Sequence, residues 1–180
     1  SVEIRWYSLA YITGILLGWF ISKKIFISDL NLKDKFDDYI TYLIVGVIIG
    51  GRIGYILFYN PIYYSNNLID VFKIWQGGMS FHGGLLGVIM ASIVYARKNN
   101  QNPFCYLDLV SIVAPVGIFF GRIANFINSE LYGRVTDVPW SVIFIKVDQL
   151  SRHPSQLYEA FFEGILLFLI LNYFLRKNFL

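Results

Sequence analysis

The sequence predicts an all-α polytopic membrane protein: a compact helical bundle of about five spans, with a small external insert containing short β structure. Three observations predict it. Of 180 residues, 56% are hydrophobic and only 15% charged, against about 25% charged in an ordinary soluble domain. The apolar residues fall in long runs separated by basic loops, as spans of about 20 residues require. Glycines pair at four-residue spacing inside four of those runs: Gly14/Gly18, Gly50/Gly54, Gly83/Gly87 and Gly117/Gly121. Such faces let helix backbones approach closely in lipid.

The first span, Trp6–Ile21, is short and precedes Lys23 and Lys24. It lacks a small-residue cleavage site and reads as a helix, not a signal peptide. The second span covers 39–59, after a charged loop at 31–38. The third covers 80–95 and the fourth 106–127. The fifth covers 156–175, with Pro154 suited to a first helical position. Residues 1–127 thus hold spans one to four, 128–153 an external insert, and 154–180 span five and an inner-side tail. Within the insert, Trp140, Ser141, Val142, Ile143, Phe144 and Ile145 are β-branched and aromatic enough for a strand. Basic residues concentrate in the loop after span one, the loop after span three and the tail. The positive-inside rule then places the N-terminus outside. Cys105, the single cysteine, reads as a small buried apolar residue. The net charge of +3 sits in loops and gives no sign of nucleic-acid binding.

The stretch 121–134 is the most informative. Arg122, Asn125, Asn128 and Glu130 arrive directly after an apolar run. A charge at a membrane helix centre costs roughly 2.5–3.5 kcal/mol, so such residues mark sites by default. If the helix continues past Gly121, then Arg122, Asn125 and Ser129 share a face and present a guanidinium fork and an amide to one polar ligand. Glu130 can orient the arginine or hold a hydroxyl. The plainer alternative is an Arg–Glu pair that fixes a helix end to the interface.

His82, flanked by glycines at the mouth of span three, can accept a proton from a thiol or hydroxyl. Its plainer alternative is a histidine satisfied by a backbone carbonyl at a helix end. Arg52, inside span two, can meet a lipid phosphate or pair with an acid of span five. Gln156, Glu159 and Glu163 share one face of span five. Two carboxylates four residues apart repel, so one needs a partner, and Arg52 is a plausible one. The two histidines, His82 and His153, are too far apart to suggest a metal site, and neither a nucleophile elbow nor a phosphate loop is present.

Residues 121–134 closely resemble the signature of the phosphatidylglycerol–prolipoprotein diacylglyceryl transferases. The similarity extends to Arg5, Trp6 and Tyr7, to Gly51, Arg52, Ile53 and Gly54, to His82, Gly83, Gly84 and Leu85, and to the run from Arg152 to Glu159. The resemblance implies an enzyme of the bacterial inner membrane without cofactor or metal. It moves the diacylglyceryl group of phosphatidylglycerol to the lipobox cysteine of a preprolipoprotein signal peptide, forming a thioether and releasing glycerol 1-phosphate. It implies that Arg122 binds the lipid headgroup, with Asn125, Glu130 and Gly133 building the same site. It also matches Tyr7 to a tyrosine important for activity and His82 to an essential histidine. Family members usually begin about a dozen or more residues earlier and carry two further spans, one bearing another arginine of the headgroup site. The 180-residue chain alone is therefore expected to be inactive or poorly active. Ala124 stands where many relatives have glycine. The rival reading from another class, a small transporter or channel with an arginine-lined cavity, lacks the matched broken helices such a protein uses.

Overall fold

A computed structural model describes residues 6–26 and 30–179. Arg5, the first residue of one resembling motif, lies outside the described residues. The chain is mostly helical and divides into two compact units, one of residues 27–108, the other of 1–26 and 109–180. Three helical stretches are long and apolar enough to cross a membrane: Lys35–Tyr59, Pro103–Asn128 and Ser155–Phe174.

In the unit of residues 27–108, α2 (Leu30–Tyr59) packs on α4 (Phe81–Lys98). Glycine makes that packing possible. A methyl group on Gly46 would lie 2.6 Å from the Gly87 carbonyl oxygen, and one on Gly54 would lie 2.8 Å from the Gly83 Cα. Backbones this close gain dispersion contacts that larger side chains would forbid. The expected charged loop at 31–38 belongs instead to the first turns of α2. Tyr39 and Tyr95 show the reason: they sit buried at 0% and 2% exposure, and the Tyr95 hydroxyl donates to the Lys35 carbonyl at 2.5 Å. Packing against that end overrides its polar composition. Tyr39 also shares a hydrogen bond with Ser92 at 2.8 Å and packs with its ring tilted 50° to that of Tyr106.

Between α2 and α4 run α3 (Pro61–Asn66) and two 3₁₀ turns, Leu68–Phe72 and Ile74–Gln76. Arg52 is 4% exposed and holds this segment. Its Nε donates to the Val71 carbonyl at 2.9 Å, Nη1 to Gly77 at 2.6 Å, and Nη2 to Asp70 at 2.6 Å. The guanidinium also lies 5.1 Å from the Tyr64 ring centroid. Arg52 is thus neither paired with an acid of span five nor left for a lipid phosphate. It satisfies carbonyls that the irregular backbone cannot satisfy itself.

In the other unit, α1 (Trp6–Ile21) continues into a π-helical turn, Ser22–Phe26, and meets α5 (Pro103–Asn128), which begins in the first unit. A methyl group on Gly14 would lie 3.1 Å from the Gly117 Cα. A methyl group on Gly117 or on Gly121 would meet nothing within 4 Å, so the fourth glycine pair is not a face that needs glycine for close approach. Cys105, expected to be buried, is exposed. It falls in the first turn of α5, about 100° around the helix from buried Tyr106.

The insert carries less strand than its composition suggested. Val142–Ile143 (β1) pairs antiparallel with Ser151–Arg152 (β2), and Val135 adds a single bridge to Arg152. Phe144 leaves the ladder and is buried at 4% exposure against Phe126 and Tyr132. The hairpin is closed by Asp148, which accepts from Arg152 Nη2 at 2.5 Å and from the Leu150 amide at 3.0 Å. The Arg152 hydrogen bond, then the Leu150 amide, holds the Asp148 carboxyl below the ordinary carboxylate range. A carboxyl depressed on folding stabilises the fold above its unfolded pKa, near 3.9, and loses that contribution as pH falls through the folded value. Protection of the Leu150 amide from exchange, taken relative to an unfolded chain at the same pH, is therefore expected to fall below about pH 4, and Asp148→Asn should remove that loss.

After Pro154, which caps the helix instead of beginning it, come α6 (Ser155–Glu159), a π-helical segment (Ala160–Leu166) and α7 (Leu167–Phe179).

Candidate polar site at the end of α5

Helix α5 runs to Asn128, so Arg122 and Asn125 do share a face. Ser129 does not join them: it leaves the helix with φ 61°, and Leu131 follows with φ 51°. Glu130 therefore sits between two non-glycine residues in the left-handed region. Each such residue costs of order 1–3 kcal/mol and persists only where its surroundings fix it.

The surroundings here are specific. The Tyr7 hydroxyl, from the first turn of α1, donates to Glu130 Oε2 and accepts from Asn125 Nδ2. The Glu130 amide donates to the Asn125 carbonyl at 2.9 Å. Gln156 Nε2 donates to the Glu130 carbonyl at 2.5 Å, and Ser155 Oγ to the Leu131 carbonyl at 2.8 Å. Of the two tasks open to Glu130, holding a hydroxyl is the one it performs.

Arg122 is oriented by other acids. Its Nε lies 2.8 Å from Glu159 Oε2, and its Nη2 lies 3.8 Å from Glu163 Oε2. The two carboxylates of span five thus find their cation in Arg122, not in Arg52. They straddle the start of the π-helical segment, a local widening often found at functional positions. Arg122 has five N–H donors, and these two contacts leave several of them for a further oxyanion.

Gly133 joins the turn to the insert. Its amide donates to the His153 carbonyl at 2.9 Å, and a methyl group there would stand 2.8 Å from that same oxygen. Close approach of two backbones demands glycine at this position. The His153 ring is tied through Nδ1 to the Tyr158 hydroxyl at 3.1 Å, which accepts from Trp140 Nε1 at 2.7 Å. Among the described residues, no group of three or more histidines, cysteines or acids is placed to hold a metal ion.

The structure therefore brings together Tyr7, Asn125 and Glu130, with Arg122 one helical turn before Asn125. His82 belongs to the other unit. It is the second residue of α4, after the cap Ser80, whose Oγ accepts from the Gly83 amide at 3.2 Å. The imidazole is exposed and lies edge-on to Phe81. Among the described residues its ring nitrogens have no hydrogen-bond partner, so the backbone-satisfied alternative does not describe it. What sequence reasoning missed is the task of Gln156: its place beside Glu159 and Glu163 was legible from spacing, but its grip on Glu130 joins segments 26 positions apart.

A family model described as prolipoprotein diacylglyceryl transferase matches residues 1–179. The chain is similar to the phosphatidylglycerol–prolipoprotein diacylglyceryl transferase of Rickettsia canadensis (strain McKiel), 54% identical over 177 residues, covering 97% of this chain and 68% of that protein. The protein of the same name from Rickettsia felis (strain ATCC VR-1525 / URRWXCal2) is 52% identical, covering 98% and 69%. That from Rickettsia bellii (strain OSU 85-389) is 51% identical, covering 98% and 68%.

Proposed function

The chain belongs to the prolipoprotein diacylglyceryl transferase family, and we propose that it moves the diacylglyceryl group of phosphatidylglycerol to the lipobox cysteine thiol of a preprolipoprotein. The observation that carries this reading is the family match through residues 1–179, which takes in every residue of the polar site. In the reaction the cysteine sulfur forms a bond to the diacylglyceryl carbon while the bond from that carbon to phosphate oxygen breaks. The electron pair leaves with glycerol 1-phosphate, and the thiol proton passes to a base. No cofactor is required.

Charge develops on the departing phosphate, and a preorganised guanidinium is the group to meet it. We assign that task to Arg122, with Glu159 and Glu163 aiming the fork. Tyr7, Asn125 and Glu130 form the polar wall of the same site, suited to the glycerol hydroxyls of the headgroup, and Gly133 sets the turn behind it. His82 is proposed to take the thiol proton, since the thiolate is the nucleophile. Its exposed, unengaged imidazole supports that role. A His82→Gln variant with full turnover at every pH would remove it. The whole reading places five spans in the bacterial inner membrane with the N-terminus outside, by the positive-inside distribution of lysine and arginine.

Tyr7→Phe is expected to leave Glu130 and Asn125 without their shared partner. A hydrogen bond to a charged group is worth about 1.5–3 kcal/mol, so transfer should fall by roughly 10–150-fold while membrane accumulation is retained. The function itself is tested by giving phosphatidylglycerol and a lipobox peptide to membranes holding the full-length protein. The expected result is a peptide heavier by one diacylglyceryl group. An unmodified peptide together with protein-dependent solute flux would favour the transporter alternative and overturn this one.

A further inference from the structure

We infer that Gln156 is a positioning residue of this site, acting through the backbone of Glu130 on the Tyr7–Glu130 hydrogen bond. Three observations support it. First, Gln156 is completely buried, yet it spends its amide on a single contact, Nε2 to the Glu130 carbonyl at 2.5 Å. Its Oε1 has no protein partner. A buried amide with half its hydrogen-bonding capacity unmet is costly for stability, so stability alone does not account for glutamine there. Turning the amide over would set Oε1 against the Glu130 carbonyl, acceptor against acceptor, so the orientation is fixed by chemistry.

Second, the carbonyl it grips belongs to the residue between the two left-handed positions, Ser129 and Leu131. Strained backbone persists only where its neighbours over-determine it. Ser155 and Gln156 supply that determination from the first turn of α6, taking the two successive carbonyls of Leu131 and Glu130. Third, the Glu130 carboxylate is the acceptor for Tyr7, whose hydroxyl also receives Asn125. Rotating the Glu130 peptide swings that carboxylate away from Tyr7. Gln156 thus sets the aim of a group that faces the headgroup without touching it.

This inference rests on the transferase reading above, and the test separates the two. Transfer to a lipobox peptide is measured with the full-length protein in phosphatidylglycerol membranes, as kcat/KM across pH. If the unsubstituted protein transfers nothing, the transferase reading fails. If it transfers, the Gln156 variants decide the present point. Gln156→Met keeps the size and loses the donor. It should lower kcat/KM on the order of 10–100-fold, as small misplacements of site groups do. Gln156→Glu can donate to the Glu130 carbonyl only when protonated, so its activity relative to the unsubstituted protein should rise as pH is lowered. A merely structural glutamine would not produce that slope. Where Gln156→Met fails to accumulate, a second measurement decides. Gln156→Glu combined with Tyr7→Phe should be no less active than Tyr7→Phe alone, because residues that act through one contact are not additive. Gln156→Met at full activity, a Gln156→Glu ratio flat with pH, or a fully additive double variant would each overturn the inference.

Discussion

Replacing Arg122 by alanine is expected to lower kcat for diacylglyceryl transfer by about 10²–10³-fold, the loss typical of removing one preorganised donor from a developing oxyanion. The reason is the geometry around it. Nε is held by Glu159 at 2.8 Å and Nη2 stands 3.8 Å from Glu163, so the fork is aimed before substrate arrives. Alanine removes the fork and leaves those two carboxylates facing each other without a cation. Part of the loss is then repulsion against the anionic headgroup, and Glu163→Gln in the Arg122→Ala background should return a measurable fraction. Arg122→Lys keeps the charge but not the planar fork. It should fall between the two, with KM less affected than kcat. Steady-state kinetics with a lipobox peptide at fixed lipid composition read all three.

Replacing Arg52 by methionine is expected to produce the largest loss of stability. Hydrogen bonds to a charged group are worth about 1.5–3 kcal/mol each. Arg52 makes good ones to the carbonyls of Asp70, Val71 and Gly77. Losing all three should cost about 4 kcal/mol or more in the ordering of the segment between α2 and α4. Limited proteolysis of that segment should then quicken on the order of 10³-fold, each 1.4 kcal/mol being a factor of ten. The α2–α4 contact should survive, because its glycines and Ala91 do not involve Arg52. Arg52→Lys should recover only part of the loss, since one ammonium cannot reach carbonyls spread along 70–77. Unchanged proteolysis of Arg52→Met would show that the segment is held by other contacts.

The helices were legible because apolar runs of that length have few alternatives. Trp6–Ile21 ends where the sequence says, and Tyr59 closes α2 as the run before Asn60 and Pro61 requires. The start of α2 was not legible, because residues 31–38 are mostly polar, and it takes the burial of Phe36, Tyr39 and Tyr95 to show packing at that end. Cys105 was misplaced for a related reason: one helix position separates it from buried Tyr106, and short windows do not fix helix phase. The short β1 followed from Phe144, which fills a gap between two aromatic rings instead of extending the ladder.

In the site, Arg122 and Asn125 could be put on one face from their spacing alone. Their partners could not. Tyr7 reaches Glu130 across 123 positions, and Glu159 takes Arg122 from a different helix. A sequence shows that a carboxylate four residues from another needs a cation, but Arg52 and Arg122 answer that need equally well until three-dimensional packing chooses. Arg52 is chosen by the carbonyls of an irregular loop, and that loop has no periodicity to read.

The most direct measurement follows both products at once. Phosphatidylglycerol labelled in its headgroup glycerol is supplied to the full-length protein with a lipobox peptide, and released glycerol 1-phosphate is counted against thioether formed. The expected result is one of each per turnover, both lost together in Arg122→Ala. Thioether formation that continues at full rate without Arg122, or headgroup release that bears no fixed ratio to peptide modified, would contradict it.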